Sequence, residues 1–551
     1  MNIPYLAITG FVIPVLPLVV AAALFVPKLQ RIALGLAPWV PLTALGLLPL
    51  HGEIIDFAWL LLGARVGIDD IALPLVLLAS IAWTLAGLHG RHHLPKERRP
   101  VFYLLWLLTW TGNLCVFLTL DAASFYAAYA MMTFAAYGLV VFHRRPEDYR
   151  AGRIYLIMAV LGEAAIIASL LTMGATLGNF ALEAGSPGLE EMTEQAWVIW
   201  LLLAGFGVKM GLAGLHMWLP LAHPQAPVPA SAVLSGVILK GGLIGWLRFL
   251  PIEADGFQIA GMSLAALGLF TALYAVAIGL LQNRAKTVLA YSSVSQMGLI
   301  SIAVGLALAF PDLAPLLVTS AVLFALHHGL AKSALFLSVD IARHSPRTAR
   351  LMMWWPALAL AGAPLTSGAL AKVLLKSGLA EAPDLFEPAM LLSSVATTLL
   401  MIHFLRLAWP ERETDSKAFA RSTLPWQCSI LAVIILPWLV AAWLLPEAVL
   451  RPFQPGYLAE TLLPVLLGVI LVLLGRRLLP THPRPTVPEG DLIALFPRAP
   501  TLALPTLRFH SPAHVRSHLR MTLASAERWL FRLAPAILIW SGIVVVMLVL
   551  R

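Results

Sequence analysis

Two lysines near the middle of apolar segments are the residues of this sequence best suited to chemistry. Lys209 lies about twelve residues into the segment that opens near Trp197, and Lys240 lies about eleven residues into the one that opens near Pro229. At ~1.5 Å of helix rise per residue, each lies more than ~15 Å from its nearer helix end. Neither side chain easily extends its ammonium into water, so the stretch from 216 to 240 between them is predicted to be the centre of an ion path.

Other ionisable residues fall at similar depth in further apolar segments. A charged side chain at the centre of a bilayer costs at least ~2.5 kcal/mol, which makes each of them a candidate functional residue. Desolvation favours the neutral form of a lysine and a nearby carboxylate favours the charged form, so the movement of one charge switches its protonation. The candidates are Glu163, Lys209, Lys240, His327, His328, Lys332 and Lys372, with Lys376 one turn beyond.

A structural role is the alternative for each candidate. Lys209, Lys240 and Lys372 cannot all sit in static ion pairs, because the apolar segments contain too few carboxylates. His327 and His328 point about 100° apart on a helix, so at most one of them faces a given path and either is as well explained as a core histidine.

The remaining ionisable residues have weaker signals. Lys376 and Asp340 lie near helix ends and are interpreted as interfacial structural residues, whereas His223 either gates uptake from the inner side or caps a turn. We expect no metal site, since no spacing of potential ligands indicates one, and no bound cofactor, since the chain has no C-x-x-C and no dinucleotide glycine fingerprint.

Composition places these residues in a membrane. Of 551 residues, 60% are hydrophobic and only 12% are charged, whereas a soluble domain carries roughly 25% charged residues. The excess of Lys and Arg (37) over Asp and Glu (28) falls in short loops, which indicates membrane topology rather than nucleic-acid binding. The sequence therefore predicts an all-α polytopic membrane protein.

About sixteen apolar stretches are long enough to cross ~30 Å of hydrocarbon. The predicted helices are 4–27, 31–50, 71–90, 101–119, 122–143, 153–174, 197–219, 229–250, 257–281, 285–309, 315–341, 351–379, 387–408, 425–445, 459–475 and 531–550. With the N-terminus outside, basic residues concentrate in the inner loops and acidic residues in the outer loops. We expect a multi-pass protein of the cytoplasmic (inner) membrane with both termini outside and the loops 91–99, 144–153 and 343–350 facing the cytoplasm.

Three regions are not predicted to span. Residues 53–70 alternate weakly and contain glycines, which favours an outside loop or hairpin. Residues 476–510 are rich in proline, which favours an extended inner linker. Residues 513–532 read as a basic amphipathic helix that rests either on the membrane interface or on a partner subunit.

Two predicted helices, the seventh and the twelfth, are interrupted. Gly211, Gly214 and Pro220 fall in one of them, and Gly362 and Pro364 in the other. Irregular backbone at membrane depth is tolerated only where it is buried in protein or lines a cavity, and breaks at corresponding places in two halves indicate an inverted repeat. The predicted divisions are three helices in 1–100, five-helix repeats in 101–250 and 257–410, two helices in 411–475, the linker and amphipathic helix in 476–530, and a last helix in 531–551.

The motifs around these lysines resemble a known family. They are Lys209 with His216-x-Trp-Leu-Pro-x-Ala-His-Pro-x-Ala-Pro-x-Pro-x-Ser-Ala-x-Leu-Ser-Gly-x-x-x-Lys240, Lys286-x-x-Leu-Ala-Tyr-Ser-Ser-x-Ser-Gln-Met-Gly298, His328-x-x-x-Lys332-x-x-Leu-Phe and Ala-Gly-x-Pro-x-x-Ser-Gly-x-x-x-Lys372. Together, over roughly residues 100–410, they resemble the antiporter-like subunits of respiratory complex I (NADH-quinone oxidoreductase), membrane-bound hydrogenases and Mrp cation/proton antiporters. The resemblance implies a core of fourteen helices with two inverted five-helix repeats. It also implies that Lys209, Lys240, His328, Lys332 and Lys372 are proton-path residues in a hydrated chain along the membrane midplane.

The chain departs from this family at the fifth predicted helix. A Trp-Glu pair is usual there, and its glutamate partners the lysine of the seventh helix, but here Tyr129 and Ala130 stand in its place. A histidine usual one turn before His328 is also replaced, by phenylalanine. Glu163, one helix further on, is the mid-membrane carboxylate left to pair with Lys209, so we predict a displaced ion pair.

We therefore expect a non-catalytic, proton-conducting subunit of a multisubunit complex of the NADH-quinone oxidoreductase or hydrogenase type, a translocase driven by reactions in other chains. The expected partners are other membrane subunits, protons or sodium ions, and the lipid bilayer. Three alternatives stay open: an Mrp-like sodium/proton antiporter subunit, the membrane subunit of an energy-coupled inorganic-carbon uptake complex, and a structural subunit without transport.

Overall fold

The computed structural model describes residues 3–177, 195–342, 351–379, 383–409, 423–478 and 487–490, together with residue 492. Within these ranges the chain is almost wholly helical. The predicted loop 343–350, most of the predicted linker, the predicted amphipathic helix 513–532 and the predicted last helix 531–550 lie outside the described residues.

The helices follow the apolar segments of the sequence. They are α1 (Ile3–Ala23), α2 (Pro27–Leu36), α3 (Ala72–His93), α4 (Arg99–Leu118), α5 (Ala122–Val140), α6 (Pro146–Leu177), α7 (Gln195–Met210), α8 (Trp218–Gln225), α9 (Val228–Val233), α10 (Lys240–Phe249), α11 (Gln258–Gly279), α12 (Ala285–Ala309), α13 (Ala314–Ala342), α14 (Trp354–Ala361), α15 (Ser367–Gly378), α16 (Phe386–Ala408), α17 (Leu424–Leu444) and α18 (Pro455–Leu478). In the described part of the chain, 11 helical stretches are long and apolar enough to cross a membrane, or 12 if one bent pair counts as a span. The protein is thus an all-α multi-pass membrane protein, and the count of sixteen stays a prediction.

The bent pair corrects the second predicted helix. Residues 31–50 were expected to form one span, but α2 ends at Leu36 and a 3₁₀ helix runs from Val40 to Leu50 at an angle of 62°. Pro38 and Pro41 lie at this junction. Each lacks a backbone N–H, so the α-helical ladder of hydrogen bonds cannot continue through this junction, which explains the bend.

The segment 53–70 forms the predicted hairpin. Strand β1 (Ile54–Phe57) pairs antiparallel with β2 (Ala64–Gly67). The Arg65 amide donates to Asp121 Oδ2 at 2.9 Å, and Asp121 Oδ1 accepts from the Ser124 amide at 2.7 Å, which caps the start of α5. The hairpin is therefore fastened to a helix end on one side of the molecule.

Asp69 fastens the end of the hairpin segment to α10. Its carboxylate accepts from both terminal nitrogens of Arg248, with Nη2 at 3.0 Å from Oδ1, and from the Ala72 amide at 2.8 Å. The Arg248 side chain is only 9% exposed. Within the described ranges, the nearly buried Arg248 guanidinium has Asp69 as its one charge partner.

Both predicted interruptions are present. The chain is irregular between α7 and α8, at 211–217, and again between α14 and α15, at 362–366. A π-helical turn, Leu234–Ile238, joins α9 to α10, so a third helix is irregular at membrane depth. His216 of the first irregular segment meets Tyr291 of α12, Gly236 of the π-helical turn contacts Gly329 of α13, and α12 is buried from Thr287 to Ala309. The inverted relation of the two halves stays a prediction.

We expect Asp69→Asn to destabilise the fold at pH 7, because asparagine keeps the hydrogen bond to Ala72 but loses the charge opposite Arg248. Burial opposes ionisation of Asp69, but the Arg248 charge and the hydrogen bonds outweigh it and hold the pKa of this carboxyl below its usual range. The stabilisation is thus present above the unfolded pKa of ~3.9 and is lost as the pH falls through the folded value. Since the carboxylate is 41% exposed, we expect a loss on the order of 1 kcal/mol.

The measurement is thermal unfolding of the purified protein in detergent between pH 7 and pH 3. The matched control is Asp56→Asn, which removes an exposed partner of Arg65 at 3.0 Å and should change the melting temperature little. Equal effects of the two variants, or an Asp69→Asn effect that does not shrink in acid, would contradict this account.

Candidate functional site

Lys209 lies one residue before the end of α7, and its side chain points into the protein. Nζ donates to Thr133 Oγ1 on α5 at 2.8 Å. It also lies 4.9 Å from the ring centroid of Tyr129 and 5.9 Å from that of Tyr155. The ammonium is therefore held by a hydroxyl group and by two aromatic faces.

Glu163, on α6, shares a small cavity with Lys209 but does not contact it directly. Its carboxyl is buried, and Oε1 has no hydrogen-bond partner among the described residues. Thr133 interacts with both side chains, and the Glu163 charge acts on Lys209 through this short separation. The predicted displaced pair is thus a neighbouring charge rather than a contact ion pair.

Lys240 pairs with a histidine of the second predicted repeat. Its Nζ lies 2.7 Å from His328 Nδ1 and donates to the Ser235 carbonyl at 3.2 Å. Ser235 belongs to the π-helical turn, where the wider backbone spacing departs from the α-helical ladder of hydrogen bonds. The local irregularity therefore supplies an acceptor for the lysine.

Two glycines allow this pair to meet. A Cβ added at Gly236 would lie 2.8 Å from the Gly329 carbonyl oxygen, and one added at Gly329 would lie 2.5 Å from the Gly236 oxygen. The backbones of the π-helical turn and α13 are thus in contact, which only residues without a side chain permit. His328 is adjacent to this crossing and Lys240 is one turn beyond it.

The neighbouring histidine of α13 faces a different helix, as the 100° rotation predicts. His327 Nδ1 lies 2.9 Å from Ser367 Oγ, at the start of α15. Lys332, one turn after His328, donates to the Leu289 carbonyl of α12 at 2.8 Å. A single helix therefore carries three buried ionisable side chains that reach three different elements.

Lys372 on α15 caps the end of α14. Its Nζ donates to the Ala361 carbonyl at 2.7 Å and to Ser394 Oγ at 2.9 Å. Ala361 is the last residue of α14, and the final carbonyls of a helix lack intrahelical partners and favour a nearby cation. The break in the helix therefore creates the binding position of the lysine.

Lys372 also lines a cavity of about 340 Å³ that reaches the surface. Further along its wall, Lys376 forms ion pairs with Glu387 at 2.7 Å and Glu460 at 2.9 Å. These contacts agree with the interfacial structural interpretation of Lys376.

A second cavity, of about 640 Å³, gathers several of the basic loops. Its lining residues include His93, His143, Arg145, Arg284, Lys286 and Asp340. Loops 91–99 and 144–153 and the start of α12 therefore share one side of the molecule, as the charge pattern predicts. Asp340 Oδ2 lies 3.3 Å from His89 Nε2, which places this carboxylate in a partly buried pair.

His223 on α8 lies between this second cavity and the buried lysines. Its neighbour Gln225 lines the cavity, and the charges of Lys286 and Lys332 both act on the imidazole. The ring is fully buried, packs on Phe336, and has no hydrogen-bond partner on either nitrogen within the described ranges. It offers a buried group that can accept and release a proton.

Sequence reasoning missed the neutral partners of the lysines. They are Thr133, Tyr129, Tyr155, Ser235 and Ser394. Tyr129 and Thr133 are four residues apart and so share a helix face. This spacing was the one available signal, and it does not show which helix that face meets.

Comparison with known proteins decides the family. Residues 119–399 match the profile described as NADH:quinone oxidoreductase/Mrp antiporter, transmembrane. The chain belongs to this family. NAD(P)H-quinone oxidoreductase chain 4 3 of Picosynechococcus sp. is 33% identical over 287 residues, which cover 51% of each chain. The chain spans about half the length of the curated relatives it matches.

Two solved structures of membrane complexes contain chains with the same fold. One is the Mrp complex from Dietzia sp. DQ12-45-1b, with a TM-score of 0.71 and 19% identity over 95% of this chain and 59% of that one. The other is the membrane-bound sulfane sulfur reductase, an archaeal respiratory membrane complex, with a TM-score of 0.68 and 20% identity over 98% of this chain and 100% of that one. At these identities the likeness shows that this chain shares the fold of those chains.

We expect Gly362→Ala to destabilise the protein more than Gly214→Ala does. Both glycines have positive φ, +81° and +86°, so alanine costs about 1–2 kcal/mol of backbone energy at either site. A Cβ at Gly362 would also lie 2.7 Å from Lys372 Cδ and 2.9 Å from Nζ, whereas one at Gly214 meets nothing within 4 Å. Thermal unfolding of both variants measures the difference, expected on the order of 1 kcal/mol because the end of the Lys372 side chain must shift from its hydrogen-bond partners, and equal losses would contradict the assigned Lys372 position.

Proposed function

We propose that this chain is the proton-conducting membrane subunit of a multisubunit energy-converting complex of the NADH-quinone oxidoreductase or hydrogenase type. The observation that carries the proposal is that Lys209, Lys240, Lys332 and Lys372 are all buried and hydrogen-bonded to neutral groups. A lysine held in this way can lose its proton without leaving an unpaired carboxylate behind. In a structural subunit without transport, the free-energy cost of burying four lysines would bring no functional benefit.

The proposed path begins at the cavity of the basic loops and reaches His223. From there Lys332 and His328, one turn apart on α13, lead to Lys240. These groups lie on α8, α13 and α10. A hydrogen bond from Lys332 joins α13 to α12, and the contact of His328 with Lys240 joins α13 to α10.

The second part of the path leaves α13 on another face. His327 contacts Ser367 at the start of α15, and Lys372 on the same helix lines the opposite cavity. Ser394 joins Lys372 to that cavity by a hydrogen bond. Lys209 and Glu163 form a separate relay in the first predicted repeat.

The orientation belongs to the same proposal. The basic loops that line the larger cavity are assigned to the cytoplasmic side of the cytoplasmic membrane, with both termini outside. Protons then enter through the basic side and leave past Lys372, or move in the reverse direction when the driving reaction reverses.

Other membrane subunits are the proposed partners. The matched relative is named as a quinone oxidoreductase chain, and both matched structures are of complexes, which supports assembly with further chains that supply the energy. The sodium/proton antiporter and inorganic-carbon alternatives differ in what crosses the membrane with the proton, so sodium dependence and bicarbonate dependence of the flux separate them.

We expect Lys209→Ala and Lys372→Ala each to lower complex-dependent proton flux by roughly 100-fold or more, since each removes a relay group that exchanges a proton. The measurement is proton movement in vesicles that contain the complex with its native partner subunits, with copurification as the check on assembly. Lys28→Ala, at an exposed position, is the control and should keep wild-type flux. Wild-type flux in both relay variants would favour the structural alternative.

We expect Glu163→Gln to impair transport strongly, and Ala130→Glu in the same chain to recover part of it. Position 130 lies three residues before Thr133 and one after Tyr129, so it is on or beside the face of α5 that meets Lys209. A glutamate there rebuilds the pair that is usual in the family. Normal transport by Glu163→Gln in the same vesicle assay would end the displaced-pair hypothesis.

A further inference from the structure

The charge of Lys209 needs stabilisation that no contact ion pair provides. Its hydrogen-bond acceptor is the neutral hydroxyl of Thr133, and Glu163 acts only across the intervening space. The ammonium also meets the rings of Tyr129 and Tyr155, whose faces carry negative electrostatic potential and whose centroids lie 4.9 and 5.9 Å from Nζ. Both distances are within the ~6 Å over which an ammonium is attracted by an aromatic ring.

Packing holds the Tyr129 ring in this position. It stacks on Phe125 with centroids 5.8 Å apart and meets the edge of Phe206, also at 5.8 Å. The side chain is almost completely buried. A ring fixed between two others cannot turn its face away from the lysine without disturbing its neighbours.

The second ring is held by a hydrogen bond and an edge contact. Tyr155 donates its hydroxyl proton to the Thr133 carbonyl at 3.0 Å, and its ring meets Trp218 at 5.3 Å with the planes 77° apart. Thr133 thus anchors the ring through its carbonyl and the lysine through its hydroxyl. The two contacts fix the ring and the ammonium relative to each other.

A close crossing of α6 and α7 brings these groups together. A Cβ at Gly162 would lie 3.0 Å from the Gly205 carbonyl oxygen, and one at Gly205 would lie 2.9 Å from the Gly162 oxygen. Glu163 follows the first glycine, and Lys209 lies one turn after the second. Backbone contact between α6 and α7 therefore fixes the separation of the two helices on which Glu163 and Lys209 lie.

We propose that Tyr129 and Tyr155 form an aromatic cage that stabilises the charged form of Lys209 by cation–π attraction, in place of a carboxylate at position 130. They are positioning residues, since they neither give nor take the transported proton. The inference rests on the proposed function, because it matters for transport only if Lys209 is charged during part of each cycle. It accounts for a buried lysine that, among the described residues, has Glu163 near it but makes no contact with a carboxylate.

The decisive experiment lowers the electron density on the face of the ring at position 129 and leaves the shape of the ring nearly unchanged. Phenylalanine and then phenylalanines with one, three and five fluorines are placed at position 129 of the full chain in the assembled complex. Each step withdraws electron density from the ring face, so we expect proton flux in vesicles to fall stepwise, by at least tenfold across the series. Tyr129→Leu should be as low as the last member.

Phe249 provides the matched control. It is fully buried in the same aromatic cluster, at 5.0 Å from Phe125 and 5.9 Å from Phe206, and no cation–π contact to it is found in the described part of the chain. The same fluorinated series at this position should leave flux unchanged. A second series at Tyr155, with a smaller slope, gives an independent measurement if a variant at 129 fails to copurify with its partners.

A further prediction of the cage concerns Ala130→Glu. With a carboxylate restored beside Lys209, the fluorinated series at position 129 should lose most of its slope. If fluorination at position 129 does not change flux in the original background while Lys209→Ala still abolishes it, Tyr129 is only a packing residue. That result would overturn the cage and leave the proposed function standing. Normal flux in Lys209→Ala would overturn both.

Discussion

The arrangement of this protein depends on how four ammonium groups are buried without contact carboxylates. The ion pairs of the described residues include none of Lys209, Lys240, Lys332 and Lys372. Burial of an unpaired charge is expensive, and a contact ion pair would repay the cost by fixing the lysine in its charged form. Hydroxyl, imidazole, carbonyl and aromatic partners satisfy the hydrogen-bonding groups and leave protonation adjustable. The packing of the neighbouring helices brings such a partner to each of the four lysines.

Irregular backbone supplies an acceptor to two of the four lysines, whereas Lys332 shares a carbonyl of the regular helix α12. A regular helix uses its own carbonyls, so a lysine in a bundle of regular helices would find few acceptors. Here the end of α14 frees the Ala361 carbonyl for Lys372, and the π-helical turn offers the Ser235 carbonyl to Lys240. The breaks thus provide hydrogen-bond acceptors for two buried lysines.

The sequence predicted the groups that are local in the chain and missed those that depend on packing. Gly362 and Pro364 indicated the break before Lys372, and the glycines of 53–70 indicated the hairpin, because each is dictated by neighbouring residues. The bend at Pro38 is equally local, but the continuous apolar sequence of residues 31–50 predicts a single helix and hides it. Thr133 and Tyr155 became partners of Lys209 only through the way α5 and α6 meet α7, which no one-dimensional pattern contains. The separation of Glu163 from Lys209 is of the same kind.

The contact between Gly236 and Gly329 limits how the π-helical turn and α13 can move relative to each other. Because backbone touches backbone there, the π-helical turn and α13 cannot slide or roll past each other without first moving apart. The crossing lies between the two predicted repeats, directly beside the Lys240 and His328 side chains. A change in the charge of either side chain is therefore accommodated by small side-chain movements more readily than by a large displacement of the two backbones.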